Sequence, residues 1–416
     1  VRWLQLGVCL VLAGCGAFGT AQGIDRQSGR MGVRNANGEW WVKLDRQTSA
    51  RDLLGAFENA GYRMVLNSTE PIMRLGWLRL RSSVKQEQSP LASIPGVLAV
   101  EEGRTFKLSD FEAIQRTKDE RPDTVSYNDP EARWQYALLR MFVSDAHAVT
   151  QGSPQMLVGV LDTGCDVSHP DFKDREGRTR IVTGRNWMDN ITDVTDRQGH
   201  GTHVTGIVGA SANNGVGVVG MAPRVSVLAE KVFNDKGEAT WVSVANGLVH
   251  AVDQGAKIIN LSLGDTYSSG VLEDAVKYAL ARNVVVIAAS GNNGQVDPNI
   301  YPASLPGVIA VGATDKKDER ASFSNQAKWL ALSAPGQGIF STFPVPLGKF
   351  TYGYASGTSM AAPHVAGIVA LMRDRYPTWT VPQLRARLLQ SVDDLGAPGF
   401  DPAFGHGRLN ARKALS

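Results

Sequence analysis

Cysteine is nearly absent from this sequence: Cys9, Cys15 and Cys165 are the three, and two of them fall within the first fifteen positions. No disulfide framework can be assembled from that number, so stability must come from a hydrophobic core and from bound ions. Charge of one sign is equally scarce. Lys and Arg total 43 against 40 Asp and Glu, a formal net charge of +3, and no run of five or six basic residues occurs, which excludes nucleic acid as a partner. Long apolar runs are missing too, because the stretch Trp3 to Ala13 is too short to span a bilayer. No internal repeat or low-complexity tract interrupts the chain. What remains is a globular composition, 43% hydrophobic and 20% charged over 416 residues, which predicts one large domain and something smaller.

The short apolar stretch behind Arg2 suits a signal-peptide core, so export to the extracellular side is expected. Two endings fit it. Leu12, Ala13, Gly14 and Cys15 look like a bacterial lipoprotein box, in which Cys15 would become a lipid anchor on the cell envelope. Alternatively, Gly19 and Ala21 serve ordinary cleavage after Ala21, and both N-terminal cysteines are discarded. Residues 1–22 are read as the signal and 23–39, polar and glycine-rich, as a linker.

Residues 40–108 carry strand and helix patterns in the order βαββαβ: Trp40 to Leu44, a helix from Ala50 to Ala60 capped by Ser49, strands Arg63 to Leu66 and Gly76 to Arg81, a helical stretch Gln86 to Ile94, and Val97 to Val100. That order predicts a small ferredoxin-like α/β sandwich. Residues 109–127 are charged and poor in large apolar side chains, which suits an exposed, cleavable connection. From 128 to 416, apolar runs (Leu157 to Leu161, Val225 to Val232, Lys257 to Leu261, Val284 to Ala289, Val308 to Val311) alternate with helices such as Trp241 to Gln254 and Val271 to Ala281. Continuous apolar strands between helices predict an α/β fold with a doubly wound parallel sheet covered on both faces.

In such a sheet reactive groups lie beyond the carboxyl ends of strands. Asp162 follows Leu157 to Leu161; His200 opens an apolar helix in Gly199, His200, Gly201, Thr202, His203; Ser359 opens another in Gly357, Thr358, Ser359, Met360, Ala361, Ala362, Pro363. Amide hydrolysis needs a hydroxyl nucleophile, a base that titrates near neutrality and a carboxylate to hold that base, which assigns Ser359, His200 and Asp162 respectively. Asn292, in Ala289, Ser290, Gly291, Asn292, offers a side-chain amide to a developing oxyanion beside the Ser359 N–H. His200 and His203 also raise a zinc site, but their spacing lacks the metalloprotease pattern. His203 and His364 read as packed helix residues, and Cys165 as a small buried hydrophobe.

The order Asp, His, Ser with the segments DTG, HGTH, SGN and GTSMAAP resembles the subtilisin family of serine peptidases, thermitase-like members included, and all four segments are intact. The resemblance runs from Asn128 to the C-terminus, where Gly405 to Ala411 looks like the closing segment, and more loosely over 40–108, which is similar to the propeptide that assists folding and inhibits the enzyme. It implies a monomeric serine endopeptidase made as an autoprocessed zymogen, with protein or peptide substrates and its own propeptide as partners. It implies peptide binding as an added strand between Ser262, Leu263, Gly264 and Gly237, Glu238, Ala239. The first pocket would be walled by Leu263, Gly264, Ala289 and Ser290, with Ile300 making it shallow. It implies structural calcium, held by Asp129, Asp171 and Asn214 with the carbonyls of Ala212, Val216 and Val218. A catalytically dead surface-binding protein on the same scaffold is the alternative, and its signature would be loss of a catalytic residue.

Overall fold

The structure, a computed structural model, describes residues 24–25, 30–31, 33–34, 38–45, 47–65, 70–82, 90–109, 111–115, 123–348 and 350–416. The expected signal, Cys9 and Cys15 lie outside the described residues. Among the described residues no helix is long and apolar enough to cross a membrane.

The N-terminal unit is built on strands β1 (Glu39–Leu44), β2 (Tyr62–Met64), β3 (Trp77–Ser82) and β4 (Val97–Glu102), in the sheet order β2-β3-β1-β4. All neighbours run antiparallel. This is the ferredoxin-like order the sequence predicts, with differences. The first helix, α1, is confined to Leu54–Asn59, and Ser49 Oγ accepts from Arg51 N instead of capping it. Of the expected second helix, Gln86 to Ile94, residues 86–89 lie outside the described residues, and Pro90–Ser93 form one 3₁₀ turn, the ending that Pro90 and the following Ile94-Pro95-Gly96 favour. A further strand, β5 (Arg104–Lys107), leaves this sheet and joins two others: Val33–Arg34, inside the expected linker, and β9 (Glu238–Thr240) of the larger domain.

The larger domain is organised by nine strands. Their order is β7 (Ile181–Asn186), β8 (Ser226–Lys231), β6 (Leu157–Asp162), β10 (Ile258–Leu261), β11 (Val285–Ala289), β12 (Ile309–Thr314), β13 (Leu332–Pro335), β15 (Arg408–Leu409) and β14 (Val392–Asp393). Pairing is parallel throughout except for β14 against β15. The five apolar runs become β6, β8, β10, β11 and β12. Their side chains alternate between two cores: Ile258, Val285 and Ile287 enter one, Ile259, Val286 and Ala288 the other. The first core is covered by helices α2 (His200–Gly209) and α5 (Thr358–Arg375), the second by α3 (Trp241–Asp253) and α4 (Gly270–Ala281). The edge strand β7 was not expected, because only its residues Ile181, Gly184 and Asn186 are buried.

The N-terminal unit docks on α3 and α4, where Trp41, Ile72 and Trp77 join the second core. Trp77 Nε1 donates to Asp274 Oδ2 at 2.9 Å and Ile72 N to Asn246 Oδ1 at 3.1 Å. Helix α4 lacks a side-chain cap of its own at Ser269. Glu101 of the docked unit supplies it, accepting from Ser269 Oγ at 2.7 Å and from Gly270 N. Within the connection 109–127, the described residues Phe111, Val125 and Tyr127 pack on the first core, while Ile114 is exposed and bridges Tyr354 through its backbone.

Candidate active site

Asp162 ends β6, fully buried, and His200 opens α2. The two meet through His200 Nδ1 and Asp162 Oδ1 at 2.6 Å. Their approach depends on two glycines without side chains: a Cβ on Gly201 would collide with the Gly164 carbonyl, just past Asp162. A residue that the sequence did not single out fastens the pair. Asp196 Oδ1 accepts from Thr163 Oγ (2.9 Å) and Gly199 N (2.8 Å), and its Oδ2 accepts from Thr202 N (2.9 Å) and Thr202 Oγ (2.8 Å). One buried carboxylate thus takes the Gly199 and Thr202 donors at the start of α2 and ties them to Thr163, the residue after Asp162, whose own Oγ accepts the Gly201 N–H at 2.9 Å. The available signal was an acid four positions ahead of a helix start.

Ser359 lies in the first turn of α5, which packs beside α2. Pro363, four residues on, has no N–H, so the Ser359 carbonyl loses its helical partner. Ser262 Oγ replaces it, donating at 2.7 Å, while Ser359 Oγ donates to Ser262 O at 3.1 Å. Asn292 is held by its oxygen: Oδ1 accepts from Thr358 N and Thr358 Oγ, each at 2.8 Å. Because a backbone N–H only donates, these contacts fix the amide orientation and leave Nδ2 on the Ser359 side, 3.3 Å from where a Gly357 Cβ would stand.

A cleft of about 210 Å³ runs past these groups, lined by Ser262, Leu263, Gly264, Ala289, Asn292, Ile300 and Ser359. Ile300 closes one end, with its Cγ2 2.9 Å from the position of a Gly264 Cβ. Ser290 stands behind this wall, fully buried, its amide on Val311 O and its carbonyl on Asn325 Nδ2. Gly237, Glu238 and Ala239 stand outside this lining: Glu238 and Ala239 pair with β5, and Gly237 O accepts from Leu108 N. The other histidines face away from the cleft. His203 Nε2 meets the carbonyls of Ile339 and Gly353 at 3.1 Å, and burial pushes its pKa down to about 3. His364 Nδ1 meets Met360 O at 2.8 Å, and burial pushes it down to about 4. Cys165 is buried, which holds its thiol protonated.

In the loop that follows the C-terminal end of α2, Asp129 accepts from Asn213 N (2.6 Å) and Asn214 N (3.0 Å), and Asp171 Oδ2 accepts from Val218 N at 2.7 Å. Asp171 Oδ1 is buried with no hydrogen-bond partner among the described residues. Burial first, and the Asp129 charge after it, push the Asp171 carboxyl well above its usual range; burial also raises Asp129. An orphaned buried carboxylate oxygen beside a second carboxylate suits a hard cation. Asn214 Oδ1 takes the Val216 N–H at 2.9 Å and its Nδ2 reaches Lys173 O at 3.1 Å. The residues present therefore fit calcium.

Comparison with known proteins adds an independent line. The family model described as the subtilase family, peptidase S8, matches residues 153–407. Thermitase of Thermoactinomyces vulgaris is 39% identical over 289 residues, covering 69% of this chain and 98% of its own. A thermophilic serine proteinase of Bacillus sp. strain AK1 is 37% identical over 325 residues, covering 75% and 77%. Among solved structures, fervidolysin of Fervidobacterium pennivorans, a keratinolytic enzyme related to subtilisin, superimposes with a TM-score of 0.76 at 26% identity. That match covers 92% of this chain and 62% of the other, so this chain spans less than two thirds of that protein.

Proposed function

The chain belongs to the subtilase family and is a serine endopeptidase, and from that premise we propose how its own residues carry the reaction. The 2.6 Å contact of His200 Nδ1 with Asp162 carries the reading, because it fixes the tautomer that leaves Nε2 free to accept a proton. Ser359 Oγ attacks the substrate carbonyl carbon as its proton passes to His200 Nε2. Asp162 stabilises the imidazolium. Asn292 Nδ2 and the Ser359 N–H donate to the oxyanion. His200 then protonates the leaving amine, and water hydrolyses the ester on Ser359 by the same steps in reverse roles. The substrate binds as a strand along Gly237 to Ala239, opposite Ser262 to Gly264.

The enzyme is made as an exported zymogen. Support comes from the signal-like start, from the folded unit 40–108 docked on α3 and α4, and from the chain threading the cleft between that unit and the larger domain. The unit acts as an intramolecular inhibitor until the connection is cut, and the mature protein is a monomer. The N-terminus is either lipidated at Cys15 or cleaved after Ala21. Calcium, held by Asp129, Asp171, Asn214 and the carbonyls of Ala212, Val216 and Val218, would neutralise two buried carboxylates and lock the loop 211–218 to residues 128–131.

The test follows the mass and peptide-ester hydrolysis of the native chain and of Ser359→Ala. Native chain matures and hydrolyses; Ser359→Ala stays full length and inactive. Equal maturation and hydrolysis by both would sink the serine mechanism, and loss of activity to a zinc chelator but not to a serine-directed phosphonate would replace it with a metal one.

A further inference from the structure

Lys231 is the one buried lysine among the described residues, 2% exposed. An ammonium withdrawn from water is costly unless each of its three donors is met, and here all three are. Nζ donates to Thr163 O at 2.7 Å and to Thr195 O at 3.2 Å, and pairs with Asp235 Oδ1 at 3.0 Å. The first two acceptors adjoin the reacting centre: Thr163 follows Asp162 in the chain, and Thr195 precedes Asp196. Lys231 itself ends β8, in register with Asp162 at the end of β6, so the same sheet that carries the acid sets its position.

Those two carbonyls mark where two stretches of chain meet. Past Asp162 the chain turns through Gly164, and a loop brings in Asp196, whose carboxylate grips Thr163, Gly199 and Thr202. Cys165 N donates to Val194 O at 2.9 Å, and a Cβ on Gly164 would stand 2.2 Å from that same oxygen. Carbonyl oxygens only accept, so Thr163 O and Thr195 O cannot pair with each other and converge only where a donor stands between them. The third contact is of a different kind. Asp235 has half of its side chain exposed and also lies 3.7 Å from Arg197, the setting of an ion pair that adds little.

Given the peptidase reading above, on which this rests, we propose that Lys231 is a positioning residue for the catalytic pair. Its ammonium clamps the carbonyls of Thr163 and Thr195. The clamp holds the Asp162 turn on the Asp196 loop, and that loop fixes the start of α2 and with it the His200 ring on Asp162. Lys231 is not among the residues lining the cleft, so it acts through Asp162 and His200 and not on the substrate. An apolar side chain in its place leaves two enclosed acceptors unpaired and lets the turn and the loop part. A displacement of about 1 Å between catalytic groups costs roughly 10²-fold in rate.

The experiment compares matured native enzyme with Lys231→Met, Lys231→Arg and Asp235→Asn in steady-state hydrolysis of one peptide amide, with active sites counted by fluorophosphonate uptake and folding checked by thermal melts. Lys231→Met should lower kcat roughly 10- to 100-fold and move KM by less than about threefold. In that variant the far-downfield proton resonance of His200 Nδ1–H on Asp162 should broaden or vanish. Lys231→Arg keeps a cation with donors for two carbonyls and should hold kcat within about fivefold of native; Asp235→Asn keeps both carbonyl contacts and should hold it within about twofold. A Lys231→Met kcat within about threefold of native, a KM change as large as that in kcat, or an unaltered resonance overturns the inference and leaves the peptidase reading intact. Native protein that hydrolyses no peptide overturns both. If Lys231→Met does not fold, the other two variants decide: an Asp235→Asn loss above about tenfold makes the ion pair the carrier and overturns the clamp, as does a Lys231→Arg loss of that size in a protein that melts like native.

Discussion

Replacing Asn292 separates the oxyanion contribution from substrate binding, because the structure divides its side chain cleanly. Oδ1 is engaged by Thr358 N and Thr358 Oγ at 2.8 Å, and Nδ2 is left for the substrate oxygen. Asn292→Ala removes the donor and should lower kcat about 10²- to 10³-fold, a range whose reference case is itself a subtilisin. KM should move by less than about threefold, since the donor acts on charge that exists only in the transition state. Asn292→Asp is the sharper variant. It keeps both contacts to Thr358 but turns an oxygen toward the oxyanion; two unit charges about 4 Å apart repel by about 4 kcal/mol at an effective dielectric near 20. Asn292→Asp should therefore be slower than Asn292→Ala, although it is the closer isostere. The assay is steady-state hydrolysis of one peptide amide, with thermal melts to show that each variant is folded. A loss below tenfold for Asn292→Ala, a KM change as large as that in kcat, or Asn292→Asp faster than Asn292→Ala would refute the assignment.

Ile300→Gly should deepen the first pocket and raise kcat/KM for substrates with a large apolar residue at the cleavage site by roughly 10- to 100-fold over those with a small one; an unaltered preference in a substrate series would show that Ile300 does not bound the pocket. Chelation should lower the melting temperature of the matured protein by roughly 10 °C if calcium stood near a thousand times its Kd, and Asp171→Asn should melt low with or without chelator; an unchanged native melt contradicts the calcium site. Burial holds His147 and His364 near pKa 4 and His203 near 3, against 6.5 when unfolded. The unfolded chain then binds protons that the folded one does not, so stability is complete above about pH 6.5 and each histidine removes about 1.4 kcal/mol per pH unit as the pH falls toward 4; urea midpoints that stay flat from pH 7 to 4.5 would refute this.

Much of the fold was legible because strands buried on both faces need continuous apolar residues, and Leu157 to Leu161 or Val284 to Ala289 can be little else. The polar residues that follow them stood out for the same reason. What stayed hidden depends on pairings across the sequence. Phe106 lies next to Ala239 only through the ladder of β5 on β9, and nothing local in Arg104 to Lys107 announces a partner that far away. Asp196 gathers Thr163, Gly199 and Thr202 in three dimensions, whereas in sequence it reads as an ordinary loop acid. Ser49 misled in the opposite direction: its hydroxyl does bind a following N–H, but in a turn that precedes the helix.

The central claim is that one hydroxyl, that of Ser359, carries the chemistry. Matured protein titrated with a fluorophosphonate should lose peptidase activity in proportion to the label taken up, reach zero at about one label per chain, and yield a single modified peptide containing Ser359. Full inhibition with the label on another residue, or full labelling of Ser359 with activity retained, would contradict it.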